Sequence, residues 1–158
     1  MNSLRFHLIK HNFFEGFSSE QLEPLLKFTT DEVYKKGQFI FTSWEEARMF
    51  YLVYNGLVSL EIPYLKNSSA IINFVYPGDI IGIDCLYEPH RWYFDARVLK
   101  ETNVLSIATD SLKKIIEEDK DFGYQFVNQL IFHIRKQILD IRLILLKNSS
   151  EFKIKIFS

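Results

Sequence analysis

The segment at positions 121–147 constrains the fold of this chain more than any other, because it contains no proline and only one glycine, near its start. Heptad numbering from Tyr124 places an apolar residue at every a and d position over three heptads. The a positions are Tyr124, Ile131, Ile138 and Leu145, and the d positions are Val127, Ile134 and Ile141. Such a seam is typical of a coiled coil, and β-branched residues at position a favour two strands. We therefore predict a long helix that pairs with a second copy of the chain through these residues, giving a homodimer.

A second line of apolar residues runs along the same predicted helix: Phe126, Leu130, Leu139, Leu143 and Leu146. A helix that is apolar on two faces must bury both of them. The simplest arrangement packs one face on the rest of the chain and the other on the partner copy. The alternative is a helix that is buried entirely inside a monomer.

Short runs rich in β-branched and aromatic residues occupy the chain between positions 29 and 107, and turn residues separate them. The runs lie at 39–41, 50–53, 57–62, 70–75 and 103–107, and the turns lie at 36–37, 55–56, 66–69 and 77–79. Short strands at such spacing indicate an antiparallel barrel or roll. The dipeptide Asn55-Gly56 is the strongest two-residue hairpin signal in the chain.

Helices are predicted on both sides of these strands. Ser18 and Gln21 form the pattern of a capping box for a short N-terminal helix, and Asp121 is a candidate cap for the long helix. The predicted fold is mainly β with flanking helices, an antiparallel double-stranded β-helix of the jelly-roll type followed by a long dimerisation helix. We divide the chain into N-terminal helices and a β-roll at 1–120, the dimerisation helix at 121–147, and a hinge with the start of another domain at 148–158.

Composition excludes several classes of protein. A net charge of −1 and a pI of about 6.4 argue against a free-standing nucleic-acid binder. The single cysteine excludes an internal disulfide and multi-thiolate metal sites. No signal peptide or long apolar run is present, so we expect a cytoplasmic protein without a membrane segment. The four histidines show no ligand spacing beyond His7 and His11, and no catalytic arrangement stands out, so neither a metal site nor an enzyme is expected.

Three motifs in order resemble the cyclic AMP receptor protein/Fnr family of bacterial transcription regulators. They are YKKGQFIF at 34–41, FYLVYNGLV at 50–58 and VYPGDIIG at 75–82. Ala96 and Val98 also stand where that family keeps small and apolar residues in a later strand. The resemblance implies a cyclic-nucleotide-binding-type β-roll that senses an effector and dimerises through the long helix. A regulatory domain of a kinase or channel is a weaker alternative.

The family's ligand cassette corresponds to positions 82–97, where the pattern departs from that of nucleotide-binding members. Ile83 stands where the ribose-binding glutamate would be, although Asp84 follows it. Trp92 and Tyr93 stand where the phosphate-binding Arg and Ser/Thr would be, and Arg91 lies one residue earlier. The pocket residues implied by the resemblance are Gly82, Ile83, Asp84, Cys85, Arg91, Trp92, Tyr93, Ile138 and Leu139.

Because a buried phosphate needs a cation and aimed donors, we predict a degenerate cassette that does not bind cyclic AMP tightly. The pocket would be apolar and would take an unidentified small-molecule effector or none. A true cyclic-nucleotide-binding domain stays open as an alternative, through a one-residue shift that brings Arg91 into the pocket.

Family members bind DNA through a winged helix-turn-helix domain that follows the dimer helix, and only positions 148–158 correspond to its hinge and first turns here. The resemblance therefore implies DNA binding through a C-terminal domain that this chain lacks, with RNA polymerase as a further partner of a full-length protein. The sequence leaves open whether the chain is a fragment. It also leaves open a stand-alone dimeric interaction module that does not bind DNA.

Overall fold

A computed structural model of the chain describes residues 2–148. The first helices are α1 (Ser3–Lys10), a 3-10 turn (Asn12–Phe14), α2 (Ser19–Leu22) and a second 3-10 segment (Glu23–Phe28). Strands β1 (Thr29–Tyr34), β2 (Phe39–Phe41), β3 (Met49–Leu65), β4 (Ser68–Val75) and β5 (Ile80–Ile81) follow. The last elements are α3 (Ile83–Leu86), β6 (Asp95–Ala108), α4 (Thr109–Glu118) and α5 (Lys120–Asn148).

The strands form one antiparallel sheet in the order β1-β6-β3-β4. The two long strands, β3 and β6, pair with each other along most of their lengths, and the short strands β2 and β5 pair with β6 and β3 respectively. The roll closes because each long strand changes neighbours along its length: β6 pairs with β2 and then with β1, and β3 pairs with β5 and then with β4. The predicted mainly β fold with flanking helices, an antiparallel roll and a long C-terminal helix, is confirmed.

The hairpin predicted at Asn55-Gly56 is wrong. β3 runs straight through this dipeptide, and the register of its pairing with β6 shifts on both sides of Asn55. Gly56 has a φ of +98°, and a Cβ at this position would lie 2.5 Å from the backbone oxygen of Glu101. The glycine therefore serves a bulge at which the two long strands approach closely. The hairpin between β3 and β4 lies at 65–68, where Asn67 has a φ of +66°.

The ends of the helices follow ordinary capping chemistry. The predicted capping box of α2 is confirmed, since Ser18 Oγ accepts from the Gln21 N–H at 3.2 Å and Gln21 Oε1 accepts from the Ser18 N–H at 2.9 Å. The long helix starts earlier than expected. Asp119 Oδ1, not Asp121, accepts a hydrogen bond from the N–H of Phe122 at 3.0 Å.

The core lies between the sheet, the N-terminal segment and the first half of α5. Phe126 is fully buried, with its ring centroid 5.0 Å from that of Phe13 and 5.4 Å from that of Phe50. Only this half of the second apolar line packs into the core, since Leu139 and Leu143 further along α5 are 55% and 48% exposed. The predicted hinge and domain start fall almost wholly at 149–158, outside the described residues.

Candidate functional site

A cavity of about 190 Å³ lies between the roll and α5. Most of its wall is apolar, and three polar residues interrupt it. The apolar part consists of Leu60, Ile72, Ile80, Ile81, Gly82, Ile83, Phe94 and Ile141, and the polar residues are Asn73, Asp84 and Gln137. This arrangement suits a small molecule held by apolar contacts and oriented by a few polar groups.

The turn before β5 positions one side of the cavity. Asp79 Oδ2 accepts from the Tyr76 N–H at 2.9 Å, and the Gly78 N–H donates to the carbonyl of Val53 at 2.8 Å. These bonds direct the chain into β5 and then α3. A Cβ on Gly82 would lie 2.4 Å from the ring of the buried Phe50, so this position has room only for glycine.

Contacts from α5 hold the opposite wall in place. Gln137 Nε2 donates to the carbonyl oxygen of Ile80 at 3.2 Å. One residue earlier, Lys136 Nζ lies 2.5 Å from Oδ1 of Asp79, whose side chain is only 11% exposed. The turn, β5 and the helix are therefore tied together beside the cavity.

Asp84 gives the cavity a negative character. Burial raises the pKa of its carboxyl group above the ordinary value, because the charged form loses water. Among the described residues, the side chain of Asp84 has no hydrogen-bond or ion-pair partner. The residues that line the cavity include no lysine, arginine or histidine, so no cation there offsets this carboxylate.

Three of the predicted pocket residues, Gly82, Ile83 and Asp84, line the cavity. Cys85, next to them, is fully buried instead, and its Sγ donates to the carbonyl oxygen of Gly82 at 2.8 Å. Burial raises the pKa of the Cys85 thiol to about 12. It therefore stays protonated and acts as a small apolar side chain.

The structure places the predicted residues 91–93 away from the cavity. Trp92 is 2% exposed and stacks on Phe41 in the core, with 3.8 Å between ring centroids. Tyr93 is 47% exposed and meets the ring of Trp44, and the guanidinium of the exposed Arg91 donates to the carbonyl oxygen of Trp44 at 3.3 Å. The reason is that this segment pairs with the loop before β3 rather than continuing β6.

On α5 this cavity is lined by neighbours of the two predicted pocket residues. Ile138 and Leu139 are 43% and 55% exposed and do not line the cavity, whereas Gln137 and Ile141 do. Successive helix residues are about 100° apart around the axis, so a shift of one position moves a side chain off the wall of this cavity. Gln137 and Ile141 are four positions apart, a spacing that places both on one face of a helix. This spacing is visible in the sequence and could have identified the face that lines the cavity.

The predicted seam residues fall into two groups. Ile134 and Ile141 are half-buried on their own chain, where Ile134 packs on the core and Ile141 lines the cavity. The other five are 43–72% exposed and follow one stripe along α5: Tyr124, Val127, Ile131, Ile138 and Leu145. The exposed stripe and the cavity therefore lie on neighbouring faces of the same helix.

Within residues 2–148, no group of three or more histidine, cysteine, aspartate or glutamate side chains could hold a metal ion. The described helices also include none that is long and apolar enough to cross a membrane.

Comparison with known proteins agrees with this architecture. The anaerobic regulatory protein of Bacillus subtilis (strain 168) is 26% identical over 130 residues, which cover 82% of this chain and 55% of that protein. The chain thus spans about half the length of this curated relative.

Solved structures share the fold. A cyclic nucleotide-binding domain from Methylobacillus flagellatus KT has a TM-score of 0.78 at 14% identity, over 90% of this chain and 83% of that one. The catabolite activator protein of Thermus thermophilus has a TM-score of 0.66 at 20% identity, over 84% of this chain and 62% of that one.

The family resemblance predicted from the motifs is confirmed. Residues 31–119, more than half of the chain, match the family described as the cyclic nucleotide-binding domain. These residues contain the sheet apart from the first two residues of β1, together with α3, α4 and all of the cavity wall except the part on α5. The chain therefore belongs to the cyclic nucleotide-binding domain family.

Proposed function

We propose that this chain is the effector-sensing and dimerisation part of a cytoplasmic DNA-binding transcription regulator of the cyclic AMP receptor protein/Fnr type. The observation that carries the proposal is the exposed apolar stripe of α5 beside a cavity that the same helix lines. A cavity alone would suit many binding proteins. A cavity whose wall is the back of a dimerisation helix suits a protein that passes the state of the cavity to its partner.

The occupant that best fits the stripe is a second copy of the same chain. Its residues follow heptad spacing, which is the spacing that two identical helices need to interlock. Fully burying an isoleucine side chain is worth about 1.5–3 kcal/mol, so a residue such as Ile131, 58% exposed, contributes about 1–2 kcal/mol in each protomer. Several such residues per protomer give a stable interface.

The route from cavity to DNA would be a shift between two helix arrangements. A ligand in the cavity touches Gln137 and Ile141, and the next residue after Gln137, Ile138, is on the stripe. A ligand that binds one crossing angle of the paired helices better than another favours that arrangement. In a full-length regulator, DNA-binding domains after α5 would then match two half-sites one helical turn apart.

Native mass spectrometry of the purified chain tests the dimer. The expected mass is twice 18.8 kDa, and Ile131→Lys should give the monomer without unfolding, because this side chain is exposed in one protomer. Leu143→Lys is the matched control, since Leu143 is 48% exposed on the same helix but outside the stripe, and this variant should stay dimeric. A wild-type monomer, or loss of the dimer in both variants alike, would overturn the proposal.

A further inference from the structure

The chemistry of the cavity does not fit a cyclic nucleotide. Such a ligand has a negatively charged phosphodiester, and binding it needs a cation or several aimed donors. No cation lines this cavity, and the carboxylate of Asp84 lies in its wall without a partner among the described residues. The charge in this wall is therefore the opposite of the one that an anion requires.

The size of the cavity leads to the same conclusion. Pockets for drug-sized ligands hold about 300–1,000 Å³, whereas this one holds about 190 Å³. A protein cavity of about 150 Å³ is known to take one benzene molecule. This cavity thus suits a single ring with a short substituent, not a purine, a ribose and a cyclic phosphate together.

The polar atoms of the cavity wall determine which polar group a bound ligand can carry. An ionised carboxylate such as that of Asp84 only accepts hydrogen bonds. The amide of Gln137 donates to the carbonyl of Ile80, which leaves its Oε1 free to accept. Asn73 Oδ1 accepts from the Phe74 N–H at 2.8 Å, so the Asn73 amide offers a ligand its N–H groups. A hydroxyl can donate to Asp84 and accept from the Asn73 amide, and an amine can donate to Asp84, whereas a carboxylate has no proton to donate to Asp84 and is repelled by its charge.

Resting on the proposed sensor role, we propose that the effector is an uncharged or cationic molecule of single-ring size that is mostly apolar and carries one hydroxyl or amine group. The ring packs on Leu60, Ile80 and Phe94, and the substituent donates to Asp84. The same carboxylate excludes anions, including cyclic nucleotides. Asp84 is therefore the residue that selects the charge of the ligand.

Three probes with the same ring test the selection: benzyl alcohol, benzylamine and benzoate, with cyclic AMP as a fourth. Each is titrated into the ¹⁵N-labelled full chain near neutral pH, and the amide shifts of Gly82, Ile83 and Gln137 report on the cavity. Benzyl alcohol and benzylamine should bind at least about tenfold more tightly than benzoate. Cyclic AMP should leave these amides unchanged.

Asp84→Asn is the decisive variant, because it keeps the shape of the side chain and removes its charge. In this variant benzoate should bind within about threefold of benzyl alcohol, and an unchanged thermal midpoint or a higher one establishes that the variant is folded. Benzoate or cyclic AMP binding the wild type as tightly as benzyl alcohol would overturn the inference, and so would no cavity shift with any ring probe. The dimer measurement is independent, so a failed ligand prediction is distinguishable from a failed sensor role.

Discussion

Replacing Trp92 by alanine should destabilise the fold strongly, because Trp92 belongs to the core and not to a ligand-binding surface. Its side chain is 2% exposed and stacks on Phe41 with an interplanar angle of 8°. Truncating a buried tryptophan costs about 3–5 kcal/mol, and the lost stacking is included in that range. For a domain of this size, each kcal/mol lowers the midpoint of thermal unfolding by about 2–4 °C. We therefore expect a decrease of about 6–20 °C.

The second tryptophan is a matched control. Trp44 is 69% exposed, so Trp44→Ala should change the free energy of unfolding by no more than about 0.5 kcal/mol. Each variant also retains a single tryptophan as a fluorescent probe. The emission of Trp44→Ala should lie at short wavelength and resist quenching by acrylamide, whereas that of Trp92→Ala should be red-shifted and readily quenched. Equal midpoints for the two variants, or easy quenching of Trp92, would refute its placement in the core.

Three further changes test other contacts. Gly56→Ala should prevent folding or nearly so, because its Cβ would meet the backbone of β6. Gly16→Ala is the control: Gly16 has a φ of +87° and nothing within 4 Å of a Cβ, so this variant should lose only about 1–2 kcal/mol of unfolding free energy. Equal losses for the two variants in urea unfolding would contradict the close approach at Gly56. Lys136→Met should lower the free energy of unfolding by about 1–3 kcal/mol, because the carboxylate of Asp79 loses its cation. Adding Asp79→Asn should recover part of that loss. If the effects of the two substitutions simply add, the two side chains do not interact. Burial lowers the pKa of His11 to about 4, whereas the unfolded chain has the ordinary value of about 6.5. As the pH falls from 6.5 towards 4, the unfolded chain therefore binds a proton at His11 that the folded chain does not bind. The free energy of unfolding decreases over this range by up to about 3 kcal/mol. Urea unfolding at about pH 7 and about pH 4.5 should show this loss in the wild type and less of it in His11→Gln.

The roll could be predicted from sequence because its signals are local. Turn residues such as Gly37 and Gly78 mark the places where the chain reverses, and both have a positive φ in the structure. Gly56 carries the same local signal for a different reason, namely the approach of β6, which is distant in sequence. A single sequence gives no sign of which strand passes a glycine, so a bulge in a long strand looks like a hairpin.

In the candidate site, too, contacts between distant segments could not be predicted from the sequence, as the cassette at 82–97 shows. Counting back from the strand that contains Ala96 assumes that the strand itself continues to Trp92. β6 begins only at Asp95, and the preceding segment is held by the loop before β3, where the Trp92 N–H donates to the carbonyl of Glu45. Trp92, Phe94 and Ala96 still turn inward at every second position, but this junction places Trp92 against Phe41 in the core, and only Phe94 reaches the cavity. Hydrogen bonds between segments that are far apart in the chain therefore determine which residues line the cavity.

On α5 the heptad pattern of the predicted seam is visible in the sequence, whereas the position of the cavity wall is not, for a reason that also bears on how such a helix could transmit a signal. The seam depends only on the period of the helix, which the heptads state directly. The wall depends on where the roll meets the helix, and β5 meets it at Gln137. Since Ile138 follows about 100° further round, a ligand that displaces Gln137 by turning the helix must also move Ile138 relative to any partner. The proposed ligand contact and the proposed dimer contact are therefore coupled, because Gln137 and Ile138 lie within a single turn of the helix.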